Sequence, residues 1–93
     1  MKTTILIHGC CSKAEFNDDQ YPTGSNSHWF PWLQKQLIKR GILTQTPEMP
    51  APFNPEYESW SKVFGQFNVD QNSILVGHSC ASGFLIRWLQ DHE

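Results

Sequence analysis

At 93 residues, with 39% hydrophobic content and a formal net charge of -2, the chain has material for one small core and no second domain. Its 7 basic residues form no stripe, and the close pair Lys39 and Arg40 falls at an expected helix end, where cations are favoured anyway, so nucleic-acid binding has no support. No apolar run approaches the roughly 18 residues of a membrane span. The run Ile5, Leu6 and Ile7 is too short for a signal peptide, which leads us to expect a soluble, cytoplasmic protein.

Residues 3 to 8, TTILIH, form a β-branched run that breaks at Gly9, as a buried strand does. Residues 10 to 26 are polar and rich in turn formers, a connection longer than compact domains usually contain. A helix is expected from Asn26 or Ser27, either of which can cap it, with Pro31 in or near the first turn. Trp29, Leu33 and Leu37 recur four apart, Phe30 and Ile38 widen the stripe, and Gly41 ends the helix.

ILTQT, residues 42 to 46, reads as a second strand closed by PEMPAPF. Asn54 and Pro55 supply a cap and a first-turn proline for a second helix carrying Tyr57, Trp60 and Phe64. NSILVG, residues 72 to 77, is a third strand, and from Cys80 onward Phe84, Leu85, Trp88 and Leu89 form the apolar side of a third helix. The strand-helix units are thus 1–41, 42–67 and 72–93.

The βαβαβα order implies a three-layer α/β domain with a parallel sheet and right-handed crossovers. Covering both faces asks successive helices to go to opposite sides, and strand order 2-1-3 is the expected solution. Winding reverses between strands one and three, where open α/β sheets bind ligands. Two chain ends meet there: His8-Gly9-Cys10-Cys11 and Gly77-His78-Ser79-Cys80.

Within GHSCA, residues 77 to 81, Ser79 sits between a strand and a helix, the context of a nucleophile elbow. A serine at the tip of so sharp a turn is strained and needs small residues two positions either side, which Gly77 and Ala81 provide. Alanine replaces the last glycine of G-x-S-x-G, a change the steric requirement tolerates. The backbone N–H of Cys80, at the positive end of the new helix, would face an oxyanion beside Ser79 Oγ, and the second donor is expected from Cys10 or Cys11.

Each residue also has a plainer use. Ser79 can be an N-cap only, although a cap needs no small neighbours. His8, beside Gly9 at a strand end, is expected to orient a loop rather than act as base, and His78 to line the site. His28 is expected to pack among aromatics. His92 falls 13 residues beyond Ser79 along a helix, about 20 Å away. Asp18 and Asp19 read as a solvated loop, the tryptophans as core, and Met49 with Phe53 either as an acyl-pocket wall or as packing.

The odd cysteine count, with Cys10 and Cys11 adjacent and Cys80 distant, lacks a disulfide framework, so reduced thiols are expected. His8, Cys10, Cys11 and Cys80 could converge on a metal, but adjacent cysteines chelate poorly and no CxxC spacing exists. No metal or other cofactor is therefore expected.

LIHG at 6–9, HWFPWLQKQLIKRG at 28–41, PEMPAPFNPEYESW at 47–60 and LVGHSCAS at 75–82 together resemble the retinoblastoma-binding-protein-9-like serine hydrolases, a branch of the α/β-hydrolase fold. The resemblance implies a Ser-His-Asp triad with Ser79 as nucleophile, acting on a small-molecule acyl substrate with an ester, thioester or amide bond. It also implies an aspartate and a histidine that follow the serine in the chain, as α/β-hydrolase order requires. The resemblance places both on later strands, which are absent here, so the match is to the amino-terminal half of that fold.

Strand three then becomes an apolar edge strand, and WLQDHE lacks a helix stop signal and sets Asp91 and Glu93 at the negative end of a helix dipole. The expectation is therefore a fragment of a longer hydrolase, inactive alone. A noncatalytic interaction module that pairs through strand three, with itself or with a missing carboxyl-terminal half, is the alternative.

Overall fold

The computed structural model describes residues 2–92. The elements are β1 (Thr3–Ile7), α1 (Lys13–Asn17), a 3-10 turn (Gly24–Asn26), α2 (Phe30–Lys39), β2 (Leu43–Gln45), α3 (Tyr57–Phe64), β3 (Ser73–Gly77) and α4 (Cys80–Asp91). The three strands are parallel in the order β2-β1-β3. β1 is central because its alternate residues are apolar enough to bury on both faces: Ile5, Leu6 and Ile7 are all buried.

Ile5 and Ile7 point into a cluster with Met49, Trp60, Phe64, Ala81, Phe84 and Leu85. Phe84 is its hub, with ring centroids 5.6 Å from Trp60 and 5.7 Å from Phe64. α3 and α4 therefore share one face, held together by edge-to-face aromatic contacts worth about 0.5–1.5 kcal/mol each beyond area burial. This corrects the expected alternation of successive helices: only α2 is carried to the other face, where a right-handed β1-α2-β2 crossover must go. The indole N–H of Trp60 donates to the Pro50 carbonyl at 2.8 Å, so the largest core side chain buries no unmet donor.

Two helix starts differ from expectation. α2 begins at Phe30, because His28 has a φ of 58° and cannot join a right-handed helix. α3 begins at Tyr57, because the Asn54 N–H donates to Ala51 O at 2.9 Å and closes a turn instead of leaving Asn54 as a cap. The end of α2 is as expected. Gly41, at φ 79°, donates to Ile38 O and Ile42 donates to Leu37 O, a Schellman closure that favours glycine.

The long connection is more ordered than its composition suggests. Ser12 and Glu15 form a capping box over α1, with Glu15 N donating to Ser12 Oγ at 3.1 Å and Ser12 N donating to Glu15 Oε1 at 3.0 Å. Among the described residues, no helix is long and apolar enough to cross a membrane.

Candidate active site

The site forms where β1 and β3 end side by side. The β1–β3 ladder continues past the strands through the His78 N–H, which donates to Ile7 O at 3.1 Å. The chain then turns at Ser79 and enters α4. At Ser79 φ is 59° and ψ is -123°, a positive-φ conformation outside the small left-handed basin. Such backbone costs about 1–3 kcal/mol and persists only where its surroundings impose it.

The surroundings do impose it. A Cβ added to Gly77 would lie 2.9 Å from Leu85 Cδ1 and 3.0 Å from Ser82 N, so the chain can double back only over glycine. Ala81 is fully buried. A Cβ on Gly9 would meet His78 O and Ser79 Cβ, both at 2.9 Å, which shows how closely β1 abuts the serine.

Ser79 occupies the N-cap position of α4 but makes no capping hydrogen bond. Its hydroxyl is exposed rather than used by the helix, contrary to the plainer use as a cap.

Three main-chain donors are expected beside the serine. The Cys11 N–H is committed to Pro52 O at 3.3 Å. The N–H groups of Cys10 and Cys80 have no acceptor among the described residues, and Cys80 stands at the positive end of α4. Of the two candidates in the loop after β1, Cys10 is therefore the one left free to bind an anion.

Cys10 and Cys80 are joined by a disulfide, with Cα atoms 6.1 Å apart and a sequence separation of 70. This overturns the expectation of reduced thiols, which rested on spacing alone and could not register that two strand ends 70 residues apart become neighbours. It also removes two of the four donors of the rival metal site; Cys11 is the free thiol. Burial, then the charges of Glu15 and Glu48, raise the Cys11 thiol above its ordinary value of 9.0.

His8 is 2% exposed and its ring is fully used. Nε2 accepts from the Met49 N–H at 2.8 Å, which assigns the other proton to Nδ1, whose N–H donates to Gly9 O at 2.8 Å. The 3.5 Å approach to Glu48 Oε2 is then not an ion pair. His8 pins the loop after β2 to the end of β1, and Gly24 packs flat on its ring, with space for no Cβ.

His78 packs among His28, Trp29 and Phe30, with centroids at 5.4, 5.5 and 6.3 Å. His92 stacks on Trp88 at 4.2 Å, at the far end of α4. No hydrogen bond joins Ser79 Oγ to a histidine among the described residues.

A cleft of about 390 Å³ opens beside Ser79. His8, Gly9, Cys10, Cys11, His78 and Ser79 form its floor. Of the two uses open to Met49, packing is the one observed: it is 1% exposed in the core, and its N–H donates to His8 Nε2. Phe53 packs on Phe16, at 5.0 Å, and is not part of the wall. Asp18 and Asp19 are exposed and lie outside it.

Sequence reasoning passed over Glu15, Phe16, Tyr21 and Glu48, which do line the cleft. The signal for the first two was the S-x-x-E capping box at Ser12, which marks residues 10 to 26 as partly helical.

No family model matches the chain. It is 32% identical over 91 residues to "Putative hydrolase YdeN" of Bacillus subtilis (strain 168), an alignment covering 96% of this chain and 42% of that protein. The crystal structure of the ydeN gene product from B. subtilis superposes with a TM-score of 0.81 at 29% identity, covering 100% of this chain and 45% of the other. The chain thus spans less than half the length of the relative it matches. The similarity supports an α/β fold for this chain.

Proposed function

We propose that the chain supplies the nucleophile and oxyanion hole of a serine hydrolase of the α/β-hydrolase type, acting on carboxylic ester, thioester or amide bonds. The observation that carries this is the strained, uncapped and exposed Ser79, held by Gly77 and Ala81 where it lines a cleft. Ser79 Oγ attacks the acyl carbonyl, and the tetrahedral oxyanion is received by the N–H groups of Cys80 and Cys10. Collapse expels the alcohol, thiol or amine and leaves an acyl-serine, which water then hydrolyses.

The proton of Ser79 goes to a histidine outside these 93 residues, oriented by an aspartate that precedes it in the chain. The resemblance to the retinoblastoma-binding-protein-9-like hydrolases and the 42% coverage of YdeN both support that arrangement. The chain alone is then nearly inactive, since a serine without its base is a weak nucleophile.

The test is the intact mass of the natural product, followed by fluorophosphonate labelling. A mass near twice 10.7 kDa and labelling abolished by Ser79→Ala are expected. Full labelling of the Ser79→Ala protein would overturn the assignment.

The noncatalytic alternative rests on β3, which stands at the edge of the sheet with Ile74 exposed; Ile86 and Leu89 of α4 are exposed as well. Unpaired apolar edges invite another strand. Light scattering after gel filtration decides between them: a concentration-dependent dimer favours pairing through β3, and a monomer at high concentration removes it.

A further inference from the structure

We infer that the cleft beside Ser79 selects acyl substrates that carry a cationic ammonium group and rejects those that carry a carboxylate. This deepens the reading of Ser79 as nucleophile and rests on it.

The cleft wall contains two carboxylates, Glu15 and Glu48, and neither a lysine nor an arginine. Each carboxylate is held in place by a hydrogen bond that leaves its charge intact. Glu15 Oε1 accepts from Ser12 N at 3.0 Å and Ser12 Oγ at 3.1 Å, and Glu48 Oε1 accepts from Ser25 N at 2.9 Å. Among the described residues, no lysine or arginine comes within ion-pair distance of either. Two hydrogen-bonded carboxylates thus line one cleft.

Their field reaches the floor of the site. Both glutamates push the thiol of Cys11 upward, after burial itself, and Cys11 is adjacent to the proposed oxyanion donor Cys10. A carboxylate in the substrate would meet the same repulsion. An ammonium group would be attracted, and the exposed rings of Phe16 and Tyr21 in the same wall offer it aromatic faces.

The glutamates lie on α1 and on the loop after β2, elements that the rest of the fold does not need to be acidic. Glutamine at either position would keep the acceptor oxygen, including the capping box of α1. Charge and structure can therefore be separated.

The experiment uses three unreactive ketone analogues of one ester: a trimethylammonium compound, its uncharged tert-butyl isostere and its carboxylate counterpart. Binding to the chain is followed by NMR shifts of the cleft amides. The expected order is ammonium, isostere, carboxylate, with a gap between the first two of roughly fivefold to tenfold, the size of a partly exposed charge contact or two. The gap should shrink as salt is raised and in Glu15→Gln and Glu48→Gln.

Equal affinity for ammonium and isostere overturns the inference, as does a gap that neither variant changes or a failure of all three compounds to shift the cleft amides. Since none of the compounds requires a reacting serine, a preserved binding order with a Ser79 that fluorophosphonate leaves unlabelled in the longer natural protein would sink the hydrolase reading and spare the charge preference. Labelling of Ser79 without a binding order would do the reverse.

Discussion

Cys10 and Cys80 are bonded to each other, so the two residues proposed to receive the oxyanion are tied covalently across the junction of β1 and β3. The bridge closes a loop of 70 residues, most of the chain, and holds the elbow against the end of β1. Restricting so long a loop in the unfolded state contributes up to about 4 kcal/mol in the chain-entropy account. Reduction with dithiothreitol should therefore lower the urea midpoint sharply. The Cys10→Ser/Cys80→Ser protein should show the low midpoint with or without reductant. A midpoint indifferent to reductant in the parent chain would mean that the bridge does not form.

The close approach of Gly9 to the elbow makes Gly9→Ala a sensitive probe. Its new Cβ would sit 2.9 Å from His78 O, a backbone atom that cannot swing away, and overpacking of this kind costs about 1–3 kcal/mol. Gly83 in α4 has nothing within 4 Å of an added Cβ, so Gly83→Ala should instead stabilise by about 0.5–1 kcal/mol through helix propensity. Urea unfolding of the pair checks both signs at once.

His8 should behave as a structural residue. In His8→Phe the Met49 N–H loses its acceptor in the core, a loss of about 1–3 kcal/mol. Stability should fall in thermal unfolding. If the longer protein proposed above hydrolyses esters, the acidic limb of its pH profile should survive the substitution, because the base is another histidine. Disappearance of that limb would make His8 the base.

Cys11 should alkylate slowly for a thiol that is partly exposed. Burial, then Glu15 and Glu48, raise it above the ordinary 9.0, so at neutral pH less of it is thiolate, the reactive form. The iodoacetamide rate should keep rising with pH beyond the point where a free cysteine levels off. Glu48→Gln should shift that rise to lower pH, and a profile identical to that of free cysteine would contradict the field assigned to the cleft.

Much of the molecule was legible in the residues because its signals are local. The β-branched run of β1, the four-residue recurrence of Trp29, Leu33 and Leu37, and the stop at Gly41 each concern neighbours within a turn or two. The elbow was legible for the same reason, since Gly77 and Ala81 relieve a clash within five residues. The helix starts at Phe30 and Tyr57 were displaced because single residues, His28 at positive φ and Asn54 in a turn, took conformations that composition does not specify.

The sequence by itself determined the order of the three strands with α2, α3 and α4, though not α1, and the place of Ser79 at the tip of a strand-to-helix turn, because hydrophobic period and side-chain size act over a few residues. Only the tertiary structure decided the Cys10–Cys80 bridge, the His8 bond to Met49 across 41 residues, the commitment of the Cys11 N–H to Pro52, and the meeting of Glu15 with Glu48 in one wall. Each of these joins groups far apart in the chain, and it is the sheet order β2-β1-β3 that brings their strand ends within bonding distance.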